Sequence, residues 1–159
     1  MKREYYYIFA TPTHWRIENL IQLKRRGWDY NTLGFYIRHK DRTWTEIGAG
    51  ELRLMSLKKK FVHTDGVSLN EDRRRKGHGI HLYFALIRAA KVIGAKRIYS
   101  AKRLNKFSGN MWCNKLREFF DVRGPKERKT CSCRCSQCKR RWGRYYIDLT
   151  KIALKDIPR

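Results

Sequence analysis

A short basic segment in the middle of the chain has the residue types that bind phosphate. It reads Arg-Arg-Arg-Lys-Gly-His-Gly over residues 73–79, between a strand-like stretch and a helix-like stretch. The first turn of a helix presents unpaired N–H groups and a partial positive charge, which attract anions. Gly77 and Gly79 would let the backbone approach a phosphate without an intervening Cβ. The segment predicts a phosphate site, although the two glycines also fit an ordinary tight turn.

A cysteine cluster near the C-terminus has the ligands for a metal. Four of the five cysteines fall within eight residues, at Cys131, Cys133, Cys135 and Cys138. Four thiolates complete one tetrahedral zinc shell, and the flanking Lys and Arg residues favour the thiolate form. Zinc sites usually have two separated pairs, so a redox-active or disulfide-forming loop and an unliganded loop remain alternatives. An odd, clustered set of cysteines suits a reducing cytoplasm, where we expect the protein to be located.

Net charge indicates the class of partner. The chain has 38 Lys and Arg against 14 Asp and Glu, a formal charge of +24 over 159 residues. Such a field attracts polyanions, and no apolar run approaches the length of a membrane helix. We therefore predict a nucleic-acid partner, DNA or RNA, or a protein bound to one. The alternatives are a purely solubilising surface and an anionic membrane surface, although the sequence has no clean basic amphipathic helix for a membrane. The predicted contacts are the basic clusters and the tryptophan beside one of them: Lys24, Arg25, Arg26, Lys139, Arg140, Arg141 and Trp142.

The elements around these residues predict a single α/β domain over residues 1–159. Strands are predicted over residues 4–10, 33–38, 43–47, part of 50–56, 61–69, 97–100 and 145–149. Helices are predicted after Thr11-Pro12, from Ile80 to Gly94 and over residues 109–120, from cap residues and apolar spacing. Antiparallel strands followed by alternating helices and strands predict a mixed sheet with helices on both faces. The cysteine cluster would lie in a basic insertion, about 126–143, before the last strand.

The combination of strand, Arg74-x-x-Gly77-x-Gly79 and helix resembles the coenzyme A motif of the GNAT acetyltransferases. The resemblance covers residues 62–116 and implies a mostly antiparallel sheet in which two central parallel strands splay apart. It also implies that acetyl-CoA or another acyl-CoA lies in the gap, with its pyrophosphate on the loop. The cofactor-binding residues that it implies are Leu69, Arg74, Arg75, Lys76, Gly77, His78, Gly79, Ile80 and Asn110.

The same resemblance implies acyl transfer to an amine, which needs a base, an oxyanion donor and an acid for the leaving thiolate. By position the backbone N–H of Leu69 would be the donor. Asp65 is the first candidate for the base, with His63 and Glu51 as alternatives. The family's tyrosine acid, seven residues after the asparagine, is replaced by Arg117. Replacement candidates for the acid are Cys113, Tyr145, Tyr99 and Tyr146.

The predicted function is N-acyl transfer from acyl-CoA to an amine of, or bound to, nucleic acid. A modified DNA base, an aminoacyl-tRNA and a basic nucleic-acid-binding protein are the conceivable acceptors. A non-catalytic nucleic-acid-binding protein on the same scaffold is the alternative, because the usual acid is missing. Zinc, held by the cysteine cluster, is expected as a second bound species beside acyl-CoA.

Overall fold

The computed structural model describes residues 5–9, 30–38, 44–102, 104–124 and 144–158. Seven strands in these ranges form one sheet in the order β1-β2-β3-β4-β5-β7-β6. Their bounds are β1 (Tyr5–Phe9), β2 (Tyr30–Arg38), β3 (Trp44–Ser56), β4 (Phe61–Leu69), β5 (Arg97–Tyr99), β6 (Val122–Arg123) and β7 (Tyr146–Asp148). Only β4 and β5 pair in parallel, and the other five pairings are antiparallel. The predicted mixed, mostly antiparallel sheet with a central parallel pair is confirmed.

Two helical segments follow the central strands β4 and β5. Helix α1 (Gly79–Val92) joins β4 to β5 and ends before Gly94, which has a left-handed φ of 85°. Helix α2 (Lys106–Asn110) continues through a π-helical turn (Met111–Lys115) and a 3₁₀ turn (Leu116–Glu118). α2 begins three residues before the predicted start, because Asn105 and Ser108 form a reciprocal capping box.

The core lies between the sheet and the two helices. α1 buries almost every residue from Leu82 to Ala90, which is more than the single apolar face that its spacing predicts. One side of α1 packs on the sheet, and α2 and the turns after it cover another side. There, the rings of Tyr83 and Trp112 and those of Phe84 and Phe119 pack edge to face. A helix that is buried on two sides is apolar nearly all round, as α1 is.

Alternation along the strands gives the sheet two unlike faces. Ile98 of β5 is fully buried, whereas its neighbours Arg97 and Tyr99 are half-buried. The same pattern holds on β4 and β7, as period-two alternation requires. We call the side of Ile98, which packs on α1, the core face and the side of Tyr99 the outer face.

Several predictions of element bounds need correction. The two strands predicted over 43–47 and 50–56 form one 13-residue strand, β3. Gly48, which lies between the two predicted strands, allows β3 and β4 to approach closely, because a Cβ there would overlap the carbonyl oxygen of Ser68 on β4. The short strand β6 was not predicted. The predicted first helix and the cysteine-rich insertion lie outside the described residues. Within the described ranges, none of the helices is long and apolar enough to cross a membrane.

Candidate functional site

The central parallel strands separate at the position where the sequence predicts an acyl-CoA gap. β4 and β5 pair only at Phe61–Arg97, Val62–Ile98 and His63–Tyr99. β4 then runs on through six further residues to Leu69, whereas β5 ends at Tyr99 and the next residue, Ser100, pairs with Tyr145. The backbone edge of β4 from residue 64 onward is therefore not paired with β5.

A bulge lies on the part of β4 that extends beyond its pairing with β5. Glu51 pairs with Asp65 and Ala49 pairs with Ser68, so one residue of β3 faces two residues of β4. Gly66 sits in this bulge with a left-handed φ of 56°. Bulges bend a strand and re-aim its side chains, so the bulge favours the divergence of β4 from β5.

The backbone of Leu69 faces the open side of β4. The N–H of Asn70 donates to the carbonyl of Ile47 on β3 at 2.8 Å. Successive N–H groups of a strand point to opposite sides, so the N–H of Leu69 points away from β3. Arg74 Nε donates to the carbonyl of Leu69 at 3.2 Å and folds the following loop back onto the strand end.

The predicted phosphate loop connects the end of β4 with the start of α1. Arg74, Arg75 and Lys76 are exposed, and Arg75 and Gly77 both have left-handed backbones. A Cβ at Gly77 would meet nothing within 4 Å, so this backbone position is open to a ligand. His78 is buried at the N-cap, but its side chain makes no capping hydrogen bond. The first helical N–H groups, those of Gly79 and Ile80, precede the first hydrogen bond within the helix, from His81 to His78.

Gly79 also has a packing role that the sequence did not predict. A Cβ at Gly79 would lie 2.8 Å from the ring of Phe107, so this glycine allows close packing of α2, while its backbone N–H stays a predicted phosphate contact. Met111 of the following turn is also close to Gly79. The helix that carries Asn110 is thus held beside the loop. Asn110 is exposed, and its side-chain oxygen accepts a hydrogen bond from Asn114 at 2.7 Å.

On the outer face, the candidate bases cluster beside the gap. Arg53 Nε lies 3.2 Å from a carboxylate oxygen of Glu51 and 3.5 Å from one of Asp65. The other oxygen of Asp65 accepts the N–H of Gly66 at 2.9 Å. His63 lies two residues before Asp65, and burial, the largest influence, lowers its pKa. Arg144, two residues before β7, is close enough to repel a proton on His63.

On the core face, two of the candidate acids are in contact. The thiol of Cys113 donates to the hydroxyl of Tyr145 at 2.8 Å. Tyr145 is buried, and its backbone N–H and carbonyl both bond to Ser100, the residue after β5. Cys113 is half-buried on the turn that follows α2. The structure therefore brings Cys113, which is three residues after Asn110, into contact with Tyr145. Arg117, at the position of the family's tyrosine, is exposed.

Aromatic and arginine side chains cover the outer face next to this site. The rings of Phe61, Tyr99 and Tyr146 lie on neighbouring strands with centroids 5.4 and 5.2 Å apart. The guanidinium of Arg97 lies 5.1 Å from the centroid of Phe61 and 4.6 Å from that of Tyr146. Tyr99 and Tyr146, which were candidates for the acid, thus belong to this layer, on the opposite side of the sheet from Cys113.

Other predicted site residues lie outside the described part of the chain. These are the cysteines of the proposed metal site and the two basic clusters: Cys131, Cys133, Cys135, Cys138, Lys24, Arg25, Arg26, Lys139, Arg140, Arg141 and Trp142. Among the described residues, no group of three or more His, Cys, Asp or Glu side chains is placed to hold a metal ion. The zinc site stays a prediction.

Comparison of the structure with solved structures identifies the fold. No protein-family model matches the sequence, and no curated protein matches it. The dodecameric spermidine N-acetyltransferase from Vibrio cholerae in its intermediate state is 14% identical, with a TM-score of 0.53 over 85% of this chain and 74% of that chain. The Vibrio cholerae enzyme in complex with CoA and spermine is 15% identical, with a TM-score of 0.50 over 85% and 75%. Taken with the splayed parallel strands and the loop before α1, these likenesses show that the chain has the GNAT acetyltransferase fold.

Proposed function

We propose that the protein is an N-acyltransferase that takes its acyl group from acetyl-CoA or another acyl-CoA. The observation that carries this proposal is the continuity of the gap with the loop. β4 leaves β5 after His63, and its unpaired edge leads directly to the open backbone of Gly77 and the first turn of α1. The extended pantetheine arm of coenzyme A and the pyrophosphate next to it match this arrangement. The strand edge offers hydrogen bonds to the arm, and the helix start attracts the anion.

The chain's own groups suit the parts of the reaction. When bound, acyl-CoA supplies the acyl group as a reactive thioester. The N–H of Leu69 points toward the gap and would stabilise the negative charge that develops on the acyl oxygen. Cys113 and Tyr145, on the core face, hold two protons near the end of β5 for a leaving thiolate. Arg74, Arg75 and Lys76 add positive charge around the phosphates.

Calorimetry with coenzyme A tests the cofactor site. Gly77→Glu should weaken binding at least tenfold, about 1.4 kcal/mol, because it places a carboxylate beside the phosphates. Gly94→Ala is the matched control, since Gly94 is also left-handed but lies at the other end of α1. The control should leave the affinity unchanged. Folded wild-type protein that does not bind coenzyme A would contradict the proposed function.

We also propose that the acceptor amine belongs to, or is bound to, nucleic acid. The solved neighbour binds spermine, a polycation, but this chain has a net charge of +24, which repels polycations. The two carboxylates beside the gap, Glu51 and Asp65, are both in contact with Arg53. Arg97 and Arg144 add further positive charge on the same face. An amine attached to a phosphate backbone fits this field better than a free polyamine does.

Turnover with different acceptors tests this second claim. Acetyl-CoA consumption is measured with aminoacyl-tRNA, DNA carrying amino-modified bases, a basic nucleic-acid-binding protein, spermine and no acceptor. We expect turnover with one of the first three. Turnover with spermine alone would overturn the claim about the acceptor while leaving the acyltransferase proposal intact. Tight nucleic-acid binding without any turnover would favour the non-catalytic alternative.

The salt dependence of nucleic-acid affinity measures the phosphate contacts. If six phosphates are contacted, the slope of log K against log salt should be roughly −4 to −6. Replacing Lys139, Arg140 and Arg141 with Ala should weaken binding and flatten that slope. Replacing the three exposed lysines Lys102, Lys151 and Lys155 is a charge-matched control and should change it less. An affinity that does not depend on salt would contradict the phosphate-binding proposal.

Zinc binding by the cysteine cluster remains part of the proposal, on the sequence alone. Native mass spectrometry should show about one zinc per chain, since four thiolates fill one tetrahedral shell. Cys→Ser changes at positions 131, 133, 135 and 138 should remove the metal. The apo mass alone in wild-type protein would reject the zinc site.

A further inference from the structure

His63 occupies the last position at which the two central strands are paired. Its partner across the parallel register is Tyr99, and β4 beyond it faces the gap. The ring lies on the outer face and is half-buried. A base for the acceptor amine must lie at the start of the gap, and His63 lies at that position.

One hydrogen bond fixes the tautomer of the His63 ring. Nδ1 lies 3.2 Å from the carbonyl oxygen of Thr64. A carbonyl oxygen only accepts, so Nδ1 carries the hydrogen of the neutral ring and Nε2 carries the lone pair. Within the described part of the chain, Nε2 makes no hydrogen bond. The nitrogen that can accept a proton is therefore the one that the fold leaves available.

The surroundings of His63 keep the ring neutral. Burial has the largest effect and lowers the pKa, and the positive charges of Arg144 and Arg53 lower it further. The bond to the Thr64 carbonyl and the charge of Asp65 act in the opposite direction, but the net shift is downward. Tyr99 lies across the register from it on β5. A neutral imidazole near pH 7 is ready to accept a proton.

The carboxylates next to His63 are engaged in other contacts. Glu51 and Asp65 both lie within 3.5 Å of Arg53 Nε, and Asp65 also accepts the N–H of Gly66. These contacts occupy one oxygen of Glu51 and both oxygens of Asp65. Asp65, the first candidate from the sequence, is thus better suited to orient Arg53 than to take a proton.

We propose that His63 is the general base of the acyl transfer, an inference that rests on the proposed function. Nε2 removes one proton from the acceptor's ammonium group and leaves a neutral amine. The amine nitrogen then forms a bond to the acyl carbon as the carbon–sulfur bond breaks. The Cys113–Tyr145 pair gives a proton to the thiolate that leaves, and the second proton of the same nitrogen restores that pair. The products are therefore the amide, the thiol and an imidazolium.

Kinetics of His63→Gln against Asp65→Asn test the assignment. The probe acceptor is a single-stranded DNA oligonucleotide with a terminal alkylamine, used with acetyl-CoA. His63→Gln should lower kcat at least a hundredfold, which is within the usual range for a general base, and leave KM for acetyl-CoA unchanged. It should also remove the acidic limb of the pH profile below about 6.5, and added imidazole should restore part of the rate. Asp65→Asn should keep that limb.

Nitrogen NMR of the imidazole is independent of the acceptor. Comparison with the spectrum of His63→Gln assigns the signals of His63. We expect a neutral ring at pH 7 with hydrogen on Nδ1 and a pKa below about 6.5. Hydrogen on Nε2, or a ring that is charged at pH 7, would overturn the assignment even if the probe oligonucleotide is not acylated.

The outcomes separate this inference from the proposed function. If His63→Gln retains the wild-type rate, His63 is not the base, although the acyltransferase proposal stands. If wild-type protein fails to bind coenzyme A in calorimetry, the proposed function falls and the inference falls with it.

Discussion

The core face and the outer face are built from alternate residues of β4, β5 and β7, yet they differ in burial and in the types of side chain that they present. The core face of β5 presents Ile98, which is fully buried against α1. One residue to either side, Arg97 and Tyr99 join a layer of rings and cations that is only half-buried. The candidate base His63 lies on the outer face, and the Cys113–Tyr145 pair lies on the core face.

This difference shows how a gap between two strands can hold a reaction. Opening β4 from β5 gives one bound molecule access to both faces of the sheet. In the proposed reaction, the group that accepts a proton stands on the outer face, and the groups that supply one stand on the core face. Because side chains alternate along a strand, a shift of one residue in β4 would move His63 to the opposite face.

The largest expected effect is on stability, and it compares how tightly the two faces are packed. Ile98→Ala should lower the free energy of unfolding by about 2–5 kcal/mol, because it leaves a cavity in a packed core. Arg97→Ala, one position away, should cost less than about 1 kcal/mol, since a half-buried cation over a ring contributes only that much. Urea unfolding monitored by circular dichroism measures both. Equal losses would show that the outer face is as tightly packed as the core face.

The next effect concerns the proton donors on the core face. Tyr145→Phe and Cys113→Ala should each lower kcat about ten- to a hundredfold, since each removes one member of the hydrogen-bonded pair. The double variant should be little slower than either single variant, because the two act as one unit. Tyr146→Phe is the matched control on the outer face. Additive losses, or equal loss in the control, would argue against a shared proton path.

The smallest effect is a pH dependence of stability that arises from the outer face. The pKa of His63 is lower in the folded state than in the unfolded state. As the pH falls below about 6.5, the unfolded chain binds a proton at this site before the folded protein does, so the folded protein loses stability. The loss should stay below about 1 kcal/mol, because solvent screens a half-exposed group. The difference between wild type and His63→Gln, measured by urea unfolding from pH 7.5 to 5.5, isolates this term.

Sequence patterns predicted the elements that carry the site with good accuracy. β4 spans the predicted 61–69, and α1 begins one residue before Ile80. These segments were predictable because their signals are local: period-two alternation, a 3.6-residue apolar repeat, and glycines at both ends of a helix. The start of α2 was also encoded locally, by Asn105 and Ser108, but a serine at the third position is a weaker capping signal than Glu or Gln.

Other features depended on contacts between distant segments. Gly48 is a close-approach glycine only because Ser68 of β4 lies against it, and nothing in the residues around Gly48 indicates this. Gly79 likewise accommodates Phe107, which is 28 residues away along the chain. A glycine in a sequence can indicate that there is no room for a Cβ, but only the folded structure shows which neighbouring atom occupies that space.

The sequence by itself determined the positive charge, the strand and helix on either side of the loop, and the candidate groups for each chemical step. The tertiary structure decided which of those candidates meet. It placed Arg53 against both carboxylates, left Nε2 of His63 available, and joined Cys113 to Tyr145 across 32 residues of chain. The physical reason is that a side chain's type is local, whereas burial and proton affinity depend on neighbours that folding brings from elsewhere in the chain.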